Sequence, residues 1–138
     1  MKKAYCLLNH TLTENQIKDL YEEWGIQEII YPQEQLSVKW SQIAPENTLD
    51  YGLIYEVCSW LAGTEKEDVI VVQGEYGSTF CIVDYSLKNG LVPVHAVTKR
   101  VATEMREGEI VTRKYIFEHC CFRKYEYFSE KCEISKQN

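Results

Sequence analysis

The 138-residue chain lacks the features that would place it in a membrane or in a secretion pathway. No run approaches the roughly 18 apolar residues of a membrane span. The first residues, MKKAYCLLNHTLTENQ, contain no signal-peptide core and no cleavage site. We therefore expect a cytoplasmic protein that makes no contact with a membrane.

The cysteines and histidines lack the spacing of a disulfide framework or a metal site. Six cysteines form no C-x-x-C pair, and Cys6, Cys58 and Cys81 fall inside apolar segments, where a thiol packs as a small hydrophobe. We expect reduced thiols, with Cys120 and Cys121 on opposite faces of a strand. Three separated histidines without an acidic cluster predict no metal site, and we expect no cofactor.

Positive charge is also in deficit, because 21 acidic residues outnumber 15 basic ones and leave a net charge of −6. A protein that holds long nucleic acid by its phosphates needs the opposite balance, so we expect no such partner. Residues 99–124 nevertheless contain seven Lys or Arg against four Glu. A local basic patch on an acidic chain suits a small, compact anion.

Strand-like and helix-like segments alternate over about the first 98 residues. The run DVIVVQ (68–73) is the clearest strand, and its unbroken apolar side chains indicate burial on both faces, as in a parallel sheet. From residue 100 to 128, apolar and polar residues alternate around REGE, which predicts an antiparallel hairpin. We predict a single α/β domain over 1–128, a Rossmann-like three-layer sandwich with a mostly parallel sheet, and a tail over 129–138.

Residue types at the ends of segments predict individual boundaries. Thr13 and Gln16 form a capping box for the first helix, which Gly25 stops. Four further boundaries follow from polar residues: the first strand ends at Asn9, a later helix is capped by Asn47 or Thr48, another helix begins at Ser78, and the strand LVPVHAVT ends at Thr98.

Ligands of such sheets bind beyond the carboxyl ends of the strands, where the strand order reverses. That rule selects three loops, which are NHTLT (9–13), QGEYGST (73–79) and TKR (98–100). Their polar and glycine residues should meet at one edge of the sheet.

The glycine loop, residues 73–79, is suited to an anion. Gly74 and Gly77 would let backbone N–H groups approach a ligand, and Ser78 and Thr79 would supply hydroxyls at the positive end of the next helix. The spacing matches neither a dinucleotide-binding fingerprint nor a P-loop. A tight strand-to-helix turn with a serine cap is the competing interpretation.

Thr98, Lys99 and Arg100 bring three phosphate-binding groups to a predicted strand end. The competing interpretation is a solvated edge. This segment and the glycine loop should lie at the same edge of the sheet. The two interpretations as an anion site therefore support each other.

The histidines differ in their surroundings. His10, between Asn9 and Thr11, could act as a general acid or base, donate to a phosphate, or be structural. His95 should be packed within its strand, and His119 could take either kind of role.

Two aromatic residues could stack on a base. For Trp40 we favour a core position that anchors a short helix. Tyr76 lies between two glycines of a loop and is the better candidate for stacking.

Four segments together resemble a known family. LLNHTLTENQ, VQGEYGSTF, PVHAVTKR and FEHCCFRKY, in this order and in a chain of this size, look like the small standalone CRISPR-associated proteins of the Csx type. These proteins are related to the CARF (CRISPR-associated Rossmann fold) ring nucleases. The resemblance covers roughly residues 4–125 and implies a CARF-like fold.

The resemblance implies a homodimer that binds a cyclic oligoadenylate across its two-fold axis and linearises it, which would switch off type III CRISPR signalling. The expected ring is cyclic tetra-adenylate. The implied catalytic residues are His10, Ser78, Lys99 and Arg100. The implied ligand-binding residues are Asn9, Thr11, Gln73, Gly74, Glu75, Tyr76, Gly77, Thr79, Thr98, His119 and Arg123.

Ring opening would need no metal, because each linkage carries a ribose 2′-OH beside its own phosphodiester and the protein only has to align the two. Lys99, Arg100 and the amides of 74–78 would stabilise charge in the transition state, and His10 or His119 would move protons. Two other functions stay open. One is a sponge or sensor that binds the ring without cleaving it, and the other is an unrelated Rossmann-like protein that binds a mononucleotide or a sugar phosphate.

Overall fold

Strands and helices alternate through most of the computed structural model, which describes residues 1–132. The strands are β1 (Lys3–Leu7), β2 (Glu28–Ile30), β3 (Val69–Val72), β4 (Val92–Glu107) and β5 (Ile110–Lys124). The helices are α1 (Glu14–Glu23), α2 (Glu34–Ser41), α3 (Tyr51–Leu61), α4 (Tyr76–Lys88) and α5 (Phe128–Lys131). No helix within residues 1–132 is both long and apolar enough to cross a membrane.

The five strands form one sheet in the order β2-β1-β3-β4-β5. The first four strands are mutually parallel, and β5 pairs antiparallel with β4. The predicted α/β class, the mostly parallel sheet and the C-terminal antiparallel pair are confirmed. The strand order reverses between β1 and β3, since β1 leads to β2 on one side and β3 leads to β4 on the other.

Helices cover both faces of the sheet, and strand residues alternate between two hydrophobic clusters. On the α1 side, Leu20 packs in one cluster with Cys6, Val71 and Val94 of the strands. On the α4 side, α2, α3 and α4 pack on the other set, which includes Leu7, Ile70 and Val72. β3 is buried throughout, which confirms that its apolar run is covered on both faces.

The helix boundaries follow local hydrogen bonds. The predicted capping box is confirmed, because the Gln16 amide N–H donates to the Thr13 hydroxyl (3.3 Å) and the Thr13 amide donates to the Gln16 side chain (3.0 Å). The predicted cap of α3 is wrong: neither Asn47 nor Thr48 caps the helix, and the Asp50 carboxylate accepts from the Leu53 amide at 3.1 Å. β1 also ends at Leu7 rather than at Asn9.

The largest departure from the sequence-based expectation is the length of β4. The strand does not end at Thr98, and TKR is not a loop, because β4 continues to Glu107. Between Pro93 and Gly108 the sequence has no proline or glycine to break the strand. The turn is at Gly108 (φ 62°) and Glu109, as predicted from REGE, and ten residue pairs from Thr98–His119 to Glu107–Ile110 form a hairpin arm.

The structure describes only the first four residues of the predicted tail over 129–138. Residues 129–131 of the predicted tail belong to the short helix α5. Residues 133–138 lie outside the described part of the chain.

Candidate functional site

Several of the residues expected to share one pocket line three different cavities, two of which have His10 in common. The Tyr31 cavity, of about 250 Å³, contains Asn9, His10 and Thr11. The His119 cavity, of about 480 Å³, lies beside α1 and is lined by His10, Thr13, Asn15, Gln16, Thr98, Phe117, Glu118 and His119. The Tyr125 cavity, of about 370 Å³, lies beside α4 and is lined by Gln73, Gly74, Tyr76, Thr79, Phe80, Val83, His95 and Tyr125.

The two glycines of the glycine loop make room for protein side chains. A Cβ on Gly74 would lie 2.6 Å from Nε1 of Trp40, and a Cβ on Gly77 would lie 2.5 Å from Cδ2 of Leu49. Trp40 is buried, and its Nε1 donates to the Gln73 carbonyl at 3.0 Å. Core anchoring by Trp40 is confirmed, and close packing explains both glycines without a ligand.

The anion position at the start of α4 is filled by the chain itself. The helix begins at Tyr76 rather than at Ser78, and Glu75 is its N-cap. The Glu75 carboxylate accepts from the Gly77 amide (2.8 Å), the Ser78 amide (2.8 Å) and the Ser78 hydroxyl (2.7 Å). These hydrogen bonds lower the pKa of Glu75 below its usual value, and the bonds from the amides of Ser78 and Gly77 contribute most. A phosphate could use these donors only by displacing Glu75.

Other residues of the glycine loop also have internal roles. Ser78 is buried, and the Gln73 side-chain oxygen accepts from the Ala96 amide at 2.9 Å, which ties β3 to β4. Tyr76 is 92% exposed but lies in the first turn of α4 instead of a loop. Thr79 Oγ1 is buried and has no hydrogen-bond partner among residues 1–132. The structure therefore does not bring Ser78 to a site of chemistry.

Thr98, Lys99 and Arg100 do not act as one cluster, because consecutive strand residues point to opposite faces. Thr98 lies on the α1 side and lines the His119 cavity. Arg100 shares that face and stacks its guanidinium 3.9 Å from the centre of the Tyr115 ring. Lys99 is on the α4 side, opposite Glu118 in the register. Of the two expected cationic catalytic residues, only Arg100 lies on the face of β4 that borders the cavity, where its register partner is the cavity residue Phe117.

His10 is exposed and its ring is oriented by one hydrogen bond. Nδ1 lies 2.7 Å from the Thr11 carbonyl oxygen. A carbonyl only accepts, so Nδ1 carries the proton, and in the neutral ring Nε2 is left as an acceptor. His10 lines both the Tyr31 and the His119 cavities.

His119 forms a pair with Asp19, a residue that sequence reasoning missed. Nε2 donates to the Asp19 carboxylate at 2.7 Å, and the side chains of His119 and Asp19 are only 6% and 13% exposed. The ring also packs on Phe122, with centroids 4.7 Å apart. Nδ1 is buried and has no partner within residues 1–132. An imidazole held by a carboxylate, with its second nitrogen uncommitted, is suited to proton transfer.

A β-bulge aims His119 toward α1. The register pairs Val97 with Cys121 and Thr98 with His119, which leaves Cys120 as the extra residue. His119 and Phe122 are therefore in contact on the α1 side, although they are three positions apart. The simple alternation expected for Cys120 and Cys121 does not hold, and both line one surface with α1.

Arg123 does not join His119 at this site. Its register partner is His95, which lines the Tyr125 cavity on the α4 side and packs on the Tyr125 ring at 4.8 Å. Phe117, by contrast, lies on the cavity side and is 66% exposed. Phe117 is two positions from His119 on β5, so the strand alternation could have placed both on one face. No pattern in the sequence pointed to Asp19.

Three cysteines of the apolar segments, Cys6 (buried) and Cys58 and Cys81 (partly buried), are held as neutral thiols. Burial raises the pKa of Cys6 to about 12, and burial also raises the pKa values of Cys58 and Cys81. No group of three His, Cys, Asp or Glu side chains within residues 1–132 could hold a metal ion.

Comparison with known proteins assigns a family. The chain matches the model of the "Uncharacterized protein MJ1673 family" over residues 2–123. A curated relative, "Uncharacterized protein MJ1673" of Methanocaldococcus jannaschii, is 32% identical over 127 residues, which cover 91% of this chain and 98% of the relative. The chain belongs to the MJ1673 family. No solved structure matches it.

The MJ1673-family match includes every residue of the His119 cavity and Asp19. The match also includes the glycine loop and the whole hairpin arm. The cavities on both sides of the sheet therefore lie mostly within the matched region. The short helix α5 lies beyond the match.

Proposed function

We propose that this MJ1673-family chain is a cytoplasmic ring nuclease that binds a cyclic oligoadenylate, with cyclic tetra-adenylate as the expected ring, and linearises it to end type III CRISPR signalling. The observation that carries the proposal is the meeting of His10 and His119 at one cavity. Each imidazole has one nitrogen hydrogen-bonded to a protein oxygen and a second nitrogen without a partner among residues 1–132.

The fold supports the proposal in a general way. Parallel strands in the order β2-β1-β3-β4-β5, with helices on both faces, are compatible with the Rossmann-like, CARF-like architecture that the family resemblance implies. The His119 cavity lies beyond the carboxyl end of β1 and beside β4, where sheets of this type bind ligands.

The proposed reaction is an internal transesterification. The ribose 2′-OH attacks its neighbouring phosphorus, a 2′-O–P bond forms and the P–O5′ bond breaks, which yields a 2′,3′-cyclic phosphate and a 5′-OH. His10 Nε2 accepts the 2′-OH proton, and His119, which enters the step as an imidazolium held by Asp19, delivers its Nδ1 proton to the leaving 5′-oxygen. Arg100 stabilises the extra negative charge on the phosphate oxygens.

The cavity is too small for a complete ring. At about 480 Å³ it is in the size range of pockets for single small ligands, so it would hold one linkage. The rest of the ring would lie along the adjoining face of the hairpin arm, which we call the basic face. Its members are Thr98, Arg100, Ala102, Glu104, Arg106, Val111, Arg113, Tyr115 and Phe117. Three arginines and one glutamate give this face a net charge of +2, and Phe117 offers a surface for base stacking.

Binding without cleavage is the second candidate, and one observation favours it. Nδ1 of His119 is screened from solvent, so a substrate reaches it only if the cavity rearranges. If no such rearrangement occurs, the same groups would hold a ring without opening it, as in a sponge or sensor.

The test is to incubate the purified chain with cyclic tri-, tetra- and hexa-adenylate in EDTA and to resolve the products by chromatography with mass detection. We expect linear adenylates that end in a 2′,3′-cyclic phosphate or a 3′-phosphate. His119→Asn should lower turnover by at least about 100-fold, the scale of a lost general acid or base. His95→Asn is the matched control, because His95 lines the cavity on the other side of the sheet.

Intact rings that nevertheless bind tightly would replace the nuclease with the sponge or sensor. If the chain neither cleaves nor binds any of the rings, the proposal is refuted. Activity that survives in His119→Asn and disappears in His95→Asn would move the chemistry to the Tyr125 cavity.

A further inference from the structure

The hairpin arm is exposed to an extent that is unusual for a strand pair. It extends beyond the paired part of β3, and nearly all its residues are exposed on both faces. A two-stranded ribbon without a covering layer is marginally stable in water. The arm nevertheless carries several large apolar side chains that are mostly solvent-exposed: Met105, Ile110, Val111, Tyr115, Ile116 and Phe117.

The two faces of the arm differ in chemistry. Opposite the basic face is a surface that we call the aliphatic face, whose apolar residues are Val101, Met105, Ile110 and Ile116. Its charged residues are Lys99, Glu107, Lys114 and Glu118, which sum to zero. A surface without net charge has no net attraction for an anionic ligand, unlike the basic face with its net charge of +2.

We propose that the aliphatic face is the contact surface for a second copy of this chain, packed face to face about a two-fold axis parallel to the arm. Rotation about such an axis sets β4 of one copy against β5 of the other at equal height. Val101 then faces Ile116 of the partner subunit, and Lys99 faces Glu118 of the partner subunit. These two contacts pair apolar with apolar and positive with negative side chains, and the two-fold axis repeats each of them, as in an isologous interface.

The unpaired charges fit this arrangement. Neither Lys99 nor Glu118 forms an ion pair within residues 1–132, although they lie opposite each other in the register. In the two-fold dimer each gains a partner of opposite sign beside an apolar stripe. A long polyanion would leave the two glutamates facing phosphates, so it suits this face less well.

The available area is sufficient for a modest dimer. Ten strand residues span about 33 Å, and covering one face of such an arm on two copies buries on the order of 1,000 Å² in total, the lower end of specific interfaces. At the foot of the arm on the same side, Tyr76 and Phe80 of α4 are largely exposed and extend the apolar surface. An interface of this size should dissociate on dilution.

This inference does not depend on the ring chemistry. The aliphatic face is on the α4 side, so both His119 cavities and both basic faces stay outside the contact. Each chain would then hold its own ring, which departs from the shared two-fold site that the family resemblance implies.

The test is the mass of the full chain in solution, measured by sedimentation over a dilution series without any ring present. We expect a wild-type dimer that dissociates on dilution. Ile116→Glu should raise the dissociation constant more than about tenfold, because the two-fold axis applies the substitution twice. Val111→Glu is the matched control and should leave the dimer intact: it is 48% exposed against 51% for Ile116, and it lies on the same strand but on the basic face.

A monomer at every concentration would overturn the proposal, and so would a dimer that Val111→Glu weakens as much as Ile116→Glu does. Far-UV circular dichroism checks that each variant is folded. If Ile116→Glu does not fold, Met105→Glu replaces it on the same face. Because no ring is present, failure here is distinct from failure of the proposed nuclease.

Discussion

The two sides of the sheet's carboxyl edge use their polar groups differently. On the α4 side, the donors at the start of α4 are occupied by Glu75, and Gly74 and Gly77 accommodate Trp40 and Leu49. On the α1 side, His10 and His119 are each oriented by one hydrogen bond and keep a second ring nitrogen without a partner among residues 1–132.

The difference separates residues that hold the fold from residues that can hold a ligand. A polar group whose hydrogen bonds are satisfied within the chain gains little from a ligand, since binding must first break those bonds. A buried polar atom with no partner gains the most. By this criterion Gly74, Gly77 and the donors that Glu75 occupies are structural, although Thr79 Oγ1 in the same loop is buried without a partner among residues 1–132. The His119 cavity, where two imidazoles meet, is the candidate site.

The largest effect should distinguish Arg100 from Lys99, which are adjacent in sequence but lie on opposite sides of the sheet. Arg100→Ala should weaken ring binding by about 1–3 kcal/mol, roughly 5- to 150-fold, because a charge-assisted contact is lost. Lys99→Ala should leave the affinity unchanged when titrated at a concentration that gives the same oligomeric state. Equal losses in the two variants would break the comparison between the two sides.

An effect of similar size, on stability rather than on binding, should identify the role of Gly74. Gly74→Ala drives a methyl group into the buried Trp40 ring and should cost about 1–3 kcal/mol in the free energy of unfolding, measured by chemical denaturation. Gly63→Ala is the control, because no atom lies within 4 Å of its Cβ position. If Gly74→Ala were as stable as the wild type but no longer bound the ring, the glycine loop would be part of the ligand site.

The smallest effect should be the pH dependence of the Glu75 cap. The folded-state pKa of Glu75 is lowered, so its ionised form stabilises the protein above the unfolded value of 4.5, and this contribution is lost as the pH falls through the folded-state pKa. At pH 7, Glu75→Gln should therefore be less stable than the wild type by about 1 kcal/mol or less, and the difference should shrink in acid. Glu46→Gln, in an exposed loop, should show no such trend.

The sequence predicted the fold well where local signals were strong. The apolar run of β3, the capping box of α1 and the turn at Gly108 are each determined by neighbouring residues, and all three are confirmed. The end of β4 was mispredicted at the polar residues Thr98 to Arg100, although no proline or glycine interrupts the strand before Gly108. The same limit applies to Asp50, which competes with Asn47 and Thr48 as an equally good cap.

The candidate site was predicted only in part, since tertiary contacts decide which polar groups are available. His10, Thr98 and His119 were identified from sequence and line one cavity. Asp19 is one hundred residues from His119 in the chain, and only the packing of α1 on β5 brings the two together. Glu75 and Trp40 occupy the glycine loop through contacts that spacing alone does not reveal.

The most direct test of the central claim is the ¹H–¹⁵N spectrum of the three histidine rings during a titration with cyclic tetra-adenylate. The account predicts that the ring signals of His10 and His119 shift with bound ligand while those of His95 stay in place. Shifts at His95, with His10 and His119 unmoved, would contradict it and would place the ligand on the α4 side.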